Sequence, residues 1–347
     1  MERFSHTAII IPAFRPNENL IKLIHTLKLT FHQPIIVVDD GNPNQKIFKQ
    51  LSGVTVLHHP INQGKGAALK TAFQYVLDHL PEIDGVVTAD ADGQHPSEDI
   101  LKVAMLLDQD SRAFYLATRT FNKRTPLTNT LGNLITRYVF LAVTGQKVMD
   151  TQNGLRGIPR WLLSNLIKIP QQRFDYEMAM LKEIAVKKTT IIQVPTQTIY
   201  HQEGAISSFR QWRDSYLIYQ ILLKDFFRFL IVSILSFVID YSLFLLFYQW
   251  LTGTYRIILA VIFSRILSGI ANYTLNRLYS FRSKVKLSQS MVQYLLLFLI
   301  IMASSAWLTD GITLLGVSAA WSKLMVDIFL FIVSYQVQKK YIFKHES

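Results

Sequence analysis

The chain has 347 residues, half of them apolar, and no cysteine; it is long enough for two domains and can hold neither a disulfide framework nor a thiolate metal site. Lys and Arg number 36 against 24 Asp and Glu, a formal net charge of +12, yet no interleaved basic-aromatic groove and no zinc-finger spacing accompanies the excess, which argues against nucleic acid. Over residues 226–347, the most apolar stretch, 11 Lys and Arg stand against 4 Asp and Glu, a combination suited to anionic lipid headgroups.

The opening residues, MERFSHTAIIIPAFRP, break at Pro12 and Pro16 without a small-residue cleavage site, so the expectation is an N-terminal half that stays in the cytoplasm. From residue 7 to about 200 strand and helix patterns alternate. TAIIIPAF, PIIVVDDG, VTVLHHP and DGVVTADADG are short β-branched runs that end in polar residues, as buried parallel strands do. NENLIKLIHTLKL and KGAALKTAFQYVLDHL between them have helical spacing. This β-α-β-α order predicts a doubly wound α/β sheet, whose ligands bind beyond the carboxyl ends of the strands. Asp39, Asp40, Asp90 and Asp92 all fall there.

After about residue 225 four apolar runs follow, each about one bilayer thick as a helix, interrupted by Asp240, Arg265, Lys323 and Asp327. The connector between the second and third runs carries Arg277, Arg282, Lys284 and Lys286, and the tail carries Lys339, Lys340 and Lys344. Positive-inside bias then places both ends, and the α/β domain, on the cytoplasmic side. The expected organisation is a cytoplasmic catalytic domain over 1–206, an aromatic-basic interfacial helix over 207–227 (Phe209, Arg210, Trp212, Arg213), and a four-span all-α domain over 228–347. Asp240 and Arg265 lie at about the same depth, roughly 16 Å from the cytoplasmic end, and are expected to pair.

In GVVTADADGQHP, Asp90 and Asp92 are two residues apart, so both can reach one cation. Hard cations such as Mg²⁺ or Mn²⁺ take few carboxylates and complete their shell with phosphate and water, which a nucleotide-sugar supplies. An EF-hand fails because Gly93 is at loop position four and Leu101 stands where the bidentate Glu belongs. NQGKGAALK is not a Walker loop, since His59 occupies the first glycine position and Gly66 follows the lysine. Lys65, on a glycine-flanked turn before a helix, can still meet phosphate or base.

The ordered motifs IIIPAF, VVDDG, NQGKGAAL, ADADGQH, DTQNGLRG and FDYEMAML resemble family 2 of the inverting glycosyltransferases, and more closely its polyprenyl-phosphate (dolichol- or undecaprenyl-phosphate) members, over residues 7 to about 222. The remainder looks like a GtrA-type membrane domain, with LNRLYSF (275–281) and QKKYIF (338–343) as its basic-aromatic span ends. The resemblance implies a GT-A (Rossmann-like) fold and transfer of a sugar to a lipid phosphate with inversion. It implies that Pro12, Phe14 and Asp40, with Asp39 beside them, line the base and ribose pocket. Asp90, Asp92 and Gln94 would surround the metal, and Arg119, Arg156 and Glu177 would face the sugar and the acceptor phosphate. Departures exist. FRPNE replaces the common Tyr-Asn-Glu, which displaces Glu18. LTNTLGN and YHQEGAISSF each lack an arginine found in many relatives or in mannose-transferring members, which argues against GDP-mannose.

A phosphate acceptor is already anionic and needs no general base, which agrees with a lipid-phosphate reading. The resulting expectation is a UDP-sugar donor, a polyprenyl phosphate acceptor, a membrane location, association of copies through the membrane domain, and a product used on cell-envelope polysaccharide. Two alternatives stay open at this point: transfer to a membrane glycolipid, and a lipid-sugar flippase or scaffold with a nucleotide-binding domain.

Overall fold

The structure is a computed structural model that describes residues 6–119, 127–197 and 211–343. Segment 200–209, Arg210 and Lys344, with the side chains of Trp212, Arg213 and Lys323, lie outside the described residues. The chain folds as two compact units, Met1–Leu222 and Leu223–Ser347.

The first unit is built on β1 (Thr7–Ala13), β2 (Ile35–Asp40), β3 (Thr55–His59), β4 (Gly85–Thr88), β5 (Phe114–Arg119), β6 (Arg156–Pro159) and β7 (Ile191–Thr196), in the order β3-β2-β1-β4-β6-β5-β7. Helices α1 (Glu18–Lys28), α2 (Lys65–His79), α3 (Ser97–Gln109), α4 (Leu127–Thr144), α5 (Arg160–Ile167) and α6 (Asp175–Val186) connect them. Every residue of β2 and β4 is buried, as continuous apolar runs between helical layers require. Ile9, Ile11, Leu20, Leu27, Val37 and Val103 are among the core residues, and each full burial contributes about 1.5–3 kcal/mol.

The sheet is mixed. β6 runs antiparallel between β4 and β5, with Thr88 opposite Arg156 and Gly85 opposite Pro159, whereas the strand pattern led to an expectation of parallel strands. RGIP is too short to announce a strand, and its direction follows from the 145–155 segment, which enters the sheet at the edge where β4 ends. The consequence is functional: β6 begins beside the carboxyl end of β4, and the segment leading into it places Asn153 and Gly154 there. β1 leads toward β2 on one side and β4 sits on its other side, so the switch point of the sheet lies between β1 and β4. The two loops are tied, because Asn19 Nδ2 donates to the Asp92 carbonyl at 3.1 Å.

The second unit holds most of α7 (Gln211–Trp250) and all of α8 (Arg256–Leu275), α9 (Leu287–Leu314) and α10 (Ala319–Val337). Among the described residues two helices are long and apolar enough to cross a membrane, Tyr216–Trp250 and Leu287–Leu314. The described part of the segment expected as a separate interfacial helix is continuous with α7. Arg265 Nε lies 3.6 Å from Asp240 Oδ2, the pairing expected from their equal depth, and Ser268 Oγ donates to Asp240 Oδ1 at 2.8 Å.

Candidate active site

β4 delivers Asp90 and Asp92 to the carboxyl edge at the switch point. Asp90 is an anchor. Its Oδ1 lies 2.6 Å from Lys65 Nζ, and its Oδ2 lies 3.4 Å from His95 Nε2. Lys65 opens α2 and reaches back to Glu177 Oε1 at 3.0 Å, so one ammonium joins Asp90 to the first turn of α6. Burial opposes the charge on Lys65, but Asp90 and Glu177 overcome it and hold the ammonium above its usual range. Burial likewise opposes ionisation of Asp90, and Lys65 and His95 outweigh it, holding the carboxyl well below the usual range.

Gly154 closes this group from the β6 side. A Cβ there would stand 2.9 Å from both Asp90 Oδ2 and Lys65 Nζ, so any larger residue would displace the ion pair. Thr88 Oγ1 fixes that approach by donating to the Gly154 carbonyl at 2.8 Å.

Asp92 differs from Asp90. Its Oδ1 accepts from the Gln94 backbone N–H at 2.9 Å, but burial and then the negative charge of Asp90 push its pKa up. It is a carboxylate whose charge the protein leaves undercompensated. Among the described residues no three His, Asp or Glu side chains gather to hold a metal by themselves. Two hard carboxylates, one of them held above its usual range by burial and by its neighbour, fit a divalent cation that takes its remaining oxygens from a bound diphosphate.

Asp39 and Asp40, for which the resemblance implies a place in the base and ribose pocket, end β2 at the same carboxyl edge, with Asp39 in register with Ala13 of β1. Both are buried, and their oxygens are taken by protein donors. Asp40 accepts from His59 Nδ1 (2.8 Å), Asn62 Nδ2 (2.8 Å), Gln63 N (2.9 Å) and Gly64 N (2.8 Å), which shapes the turn that presents Lys65. Gly64 there has φ +104°, a conformation that suits glycine. Asp39 accepts from Asn42, from Gln45 Nε2 at 2.7 Å and from His58 Nδ1 at 2.9 Å. Burial opposes its ionisation, and these donors more than offset it. Asn42 Nδ2 also donates to the Ala13 carbonyl at 3.1 Å, and its Oδ1 accepts from Arg15 N, so Asp39 supports the end of β1. Pro12 and Phe14 are partly exposed at that end, and the Arg15 guanidinium lies 5.3 Å from the Phe14 ring centre.

Arg119 makes a two-pronged contact to Asp150, Nε to Oδ2 at 2.6 Å and Nη2 to Oδ1 at 3.0 Å, and Asp150 is fully buried. Arg156, 1 % exposed, is held inside: Nε donates to the Asn153 carbonyl at 3.0 Å and Nη1 to the Glu177 carbonyl at 2.6 Å. Burial lowers its pKa. It braces the backbone at Asn153 and Glu177 and is buried, whereas the resemblance implied a group facing the sugar and the acceptor phosphate. Gln94 sits partly exposed in the loop with Asp92. The structure thus joins Lys65, Asp90 and Glu177 directly, with Asp92 and Gln94 in the adjoining loop. Asp39, Asp40 and Arg156 hold the surrounding loops by hydrogen bonds to side chains and backbone. His95, Asp150 and Gly154 were not expected from the sequence, although ADADGQH and DTQNGLRG contain them.

A mixed Rossmann-like sheet with an acidic site at its switch point is the architecture of a GT-A glycosyltransferase. Residues 8–166 match the model of glycosyl transferase family 2, and residues 228–343 match the GtrA/DPMS transmembrane domain. The chain is 30% identical to the UDP-N-acetylglucosamine–dolichyl-phosphate N-acetylglucosaminyltransferase of Methanococcus voltae, over 55% of this chain and 85% of that one. It is 26% identical to a dolichyl-phosphate β-glucosyltransferase of Trichomonas vaginalis, over 44% of this chain and 52% of that one. A solved mycobacterial protein shares the fold, with a TM-score of 0.50 and 19% identity over 64% of this chain and 75% of that one. The chain belongs to family 2 of the glycosyltransferases and is a glycosyltransferase joined to a GtrA-like domain.

Proposed function

We propose that this enzyme transfers a sugar, with inversion, from a UDP-sugar to a polyprenyl phosphate, giving a polyprenyl-phosphate-sugar for cell-envelope polysaccharide. One observation carries the reading: a catalytic unit matching 85% of the Methanococcus transferase is followed in the same chain by a GtrA/DPMS domain. Uridine is favoured over guanosine by that relative's substrate and by the arginines missing from LTNTLGN and YHQEGAISSF.

Asp90 and Asp92, with Gln94 nearby, would hold Mg²⁺ or Mn²⁺, which when bound neutralises charge on the departing diphosphate. Lys65 keeps Asp90 ionised and fixed and adds a cation near the same phosphates. Pro12 and Phe14 give the base an apolar wall at the end of β1. A phosphate oxygen of the acceptor attacks the anomeric carbon from the face opposite the nucleotide. Its bond forms as the bond to the UDP oxygen breaks. That nucleophile is already anionic, so no residue has to take its proton. Arg119 is the candidate to steer the acceptor, its guanidinium oriented by Asp150.

The helical domain crosses the membrane four times, with the catalytic domain and both termini cytoplasmic, and offers a surface through which copies associate. It keeps a lipid acceptor at high local concentration. The test is purified full-length protein with Mn²⁺ and undecaprenyl or dolichyl phosphate, offered UDP-N-acetylglucosamine, UDP-glucose and GDP-mannose in turn. Mass spectrometry should find an acid-labile lipid-phosphate-sugar from a UDP donor. An acid-stable lipid glycoside would instead support the glycolipid reading.

A further inference from the structure

LNRLYSF and QKKYIF are alike in more than their basic and aromatic residues, and the transfer reaction makes no use of that likeness. We infer that the C-terminal unit is a tandem repeat of one helical hairpin, α7–α8 followed by α9–α10, with each copy closing in the same π-helical turn at the same face of the membrane. This rests on the multi-span reading above and deepens it.

A shift of 62 residues (335 minus 273) lays Tyr273, Asn276, Arg277, Tyr279 and Phe281 on Tyr335, Gln338, Lys339, Tyr341 and Phe343. Both segments leave the α-helix for a π-helix, Asn276–Ser280 and Gln338–Ile342. Both turns close alike, with Phe281 N donating to the Asn276 carbonyl at 2.9 Å and Phe343 N to the Gln338 carbonyl at 2.8 Å. π-turns are rare, so two at equivalent positions are informative.

Burial follows the same shift. Ala260, Ser264 and Ser268 of α8 are buried, and so are Ser322, Val326 and Leu330 of α10. At the helix ends and through the turns Tyr273, Asn276, Ser280 and Phe281 are buried, matched by Tyr335, Gln338, Ile342 and Phe343. Among the described residues of 256–281 and 318–343 no other residue is buried. Two unrelated amphipathic helices would share a period near 3.6 but not this register, because each copy steps by five residues before its tyrosine and ends with two adjacent buried residues.

The packing is reciprocal. Tyr273 meets Phe343 at 5.7 Å between ring centres, and Tyr335 meets Phe281 at 6.0 Å. Phe281 and Phe343 stack on each other at 5.4 Å with 19° between planes. From the first helix of each hairpin, Phe229 meets Tyr335 at 5.3 Å and Tyr294 meets Tyr273 at 5.4 Å, at positions 65 residues apart, three more than the shift of the turns. Contacts in which i meets j and j meets i are those of a two-fold axis, which here passes between Phe281 and Phe343. Two hairpins joined in series have the same orientation, so that axis lies along the membrane normal. The copies have diverged at Arg265 against Asp327 and at Ser268 against Leu330. Each hairpin nevertheless keeps a polar contact at this position, Asp240 with Arg265 and Ser268 in the first and Ser305 Oγ donating to Asp327 Oδ1 at 3.0 Å in the second.

The chain has no cysteine, so single-cysteine variants of the full-length protein report their position cleanly. Tyr279→Cys and Tyr341→Cys are exposed at the equivalent turns, and Thr254→Cys and Ser318→Cys are exposed at the other hairpin ends. In sealed vesicles a membrane-impermeant maleimide should label 279 and 341 from one side, and 254 and 318 only from the other. Labelling of 279 and 341 from opposite sides would overturn the repeat while leaving the spans intact. Labelling of all four from one side would overturn the multi-span reading, and with it the membrane placement inferred here.

Discussion

Lys65 Nζ stands between two carboxylates, 2.6 Å from Asp90 Oδ1 and 3.0 Å from Glu177 Oε1, at the junction of β4, α2 and α6. It is mostly buried, so removing it leaves two carboxylates facing each other in a poorly solvated place. Lys65→Met is expected to destabilise the protein by about 3–5 kcal/mol, the usual cost of breaking a buried pair from one side. Adding Glu177→Gln should recover part of that loss. Denaturant midpoints of the two variants decide it, and equal midpoints would mean that the three groups are not coupled.

Asp92 gives a prediction with a definite sign. Its pKa is raised in the fold, so the folded state binds more protons than the unfolded chain between the two pKa values. Stability from this group is full below the unfolded carboxylate value of about 3.9 and is lost as pH rises through the folded one. At neutral pH its charge is therefore destabilising in metal-free protein. Asp92→Asn should raise the metal-free melting temperature at pH 7, remove the stabilisation by Mn²⁺, and lower activity by orders of magnitude. Full turnover of the native enzyme in EDTA would sink the metal assignment.

Asp40 acts on Lys65 through four donors. Asp40→Asn replaces an acceptor with an N–H₂ group that faces N–H donors, and should cost about 1.5–3 kcal/mol. Because the turn before α2 then shifts, KM for the nucleotide-sugar should rise as well. Unchanged KM with lowered stability would show that the turn tolerates the change.

Arg119 and Asp150 form a planar, two-bond contact that lysine cannot copy. Arg119→Lys should therefore behave nearly like Arg119→Ala, with kcat/KM for the lipid acceptor falling more than that for the nucleotide-sugar. Arg156→Lys, by contrast, should appear first as lost thermal stability, since its guanidinium serves buried carbonyls.

Asp240 and Arg265 form an ion pair within the helical unit. Either residue alone costs on the order of 2.5–3.5 kcal/mol at the middle of a bilayer. Single neutralisation, Asp240→Asn or Arg265→Gln, should lower the yield of membrane-inserted protein more than the double change does. Equal yields in all three variants would deny the coupling.

The sequence by itself determined the alternation of strand and helix, the placement of the four acidic residues at strand ends, and the apolar runs of the second half. These depend on periodicity and composition, which are local properties of the chain. It also carried the Asp240–Arg265 pairing, because helical rise converts residue number into depth. The direction of β6 was decided only by tertiary structure, since four residues hold no record of which edge the chain re-enters. The same holds for the side chains. VVDDG shows two carboxylates, but only folding brings His58 and His59 from β3, and the backbone of Gln63 and Gly64, onto them. The merger of Lys65, Asp90, Gly154 and Glu177 joins four distant segments. Each segment was legible as a motif, but their mutual distances arise when β6 inserts beside β4, and no local pattern encodes that event.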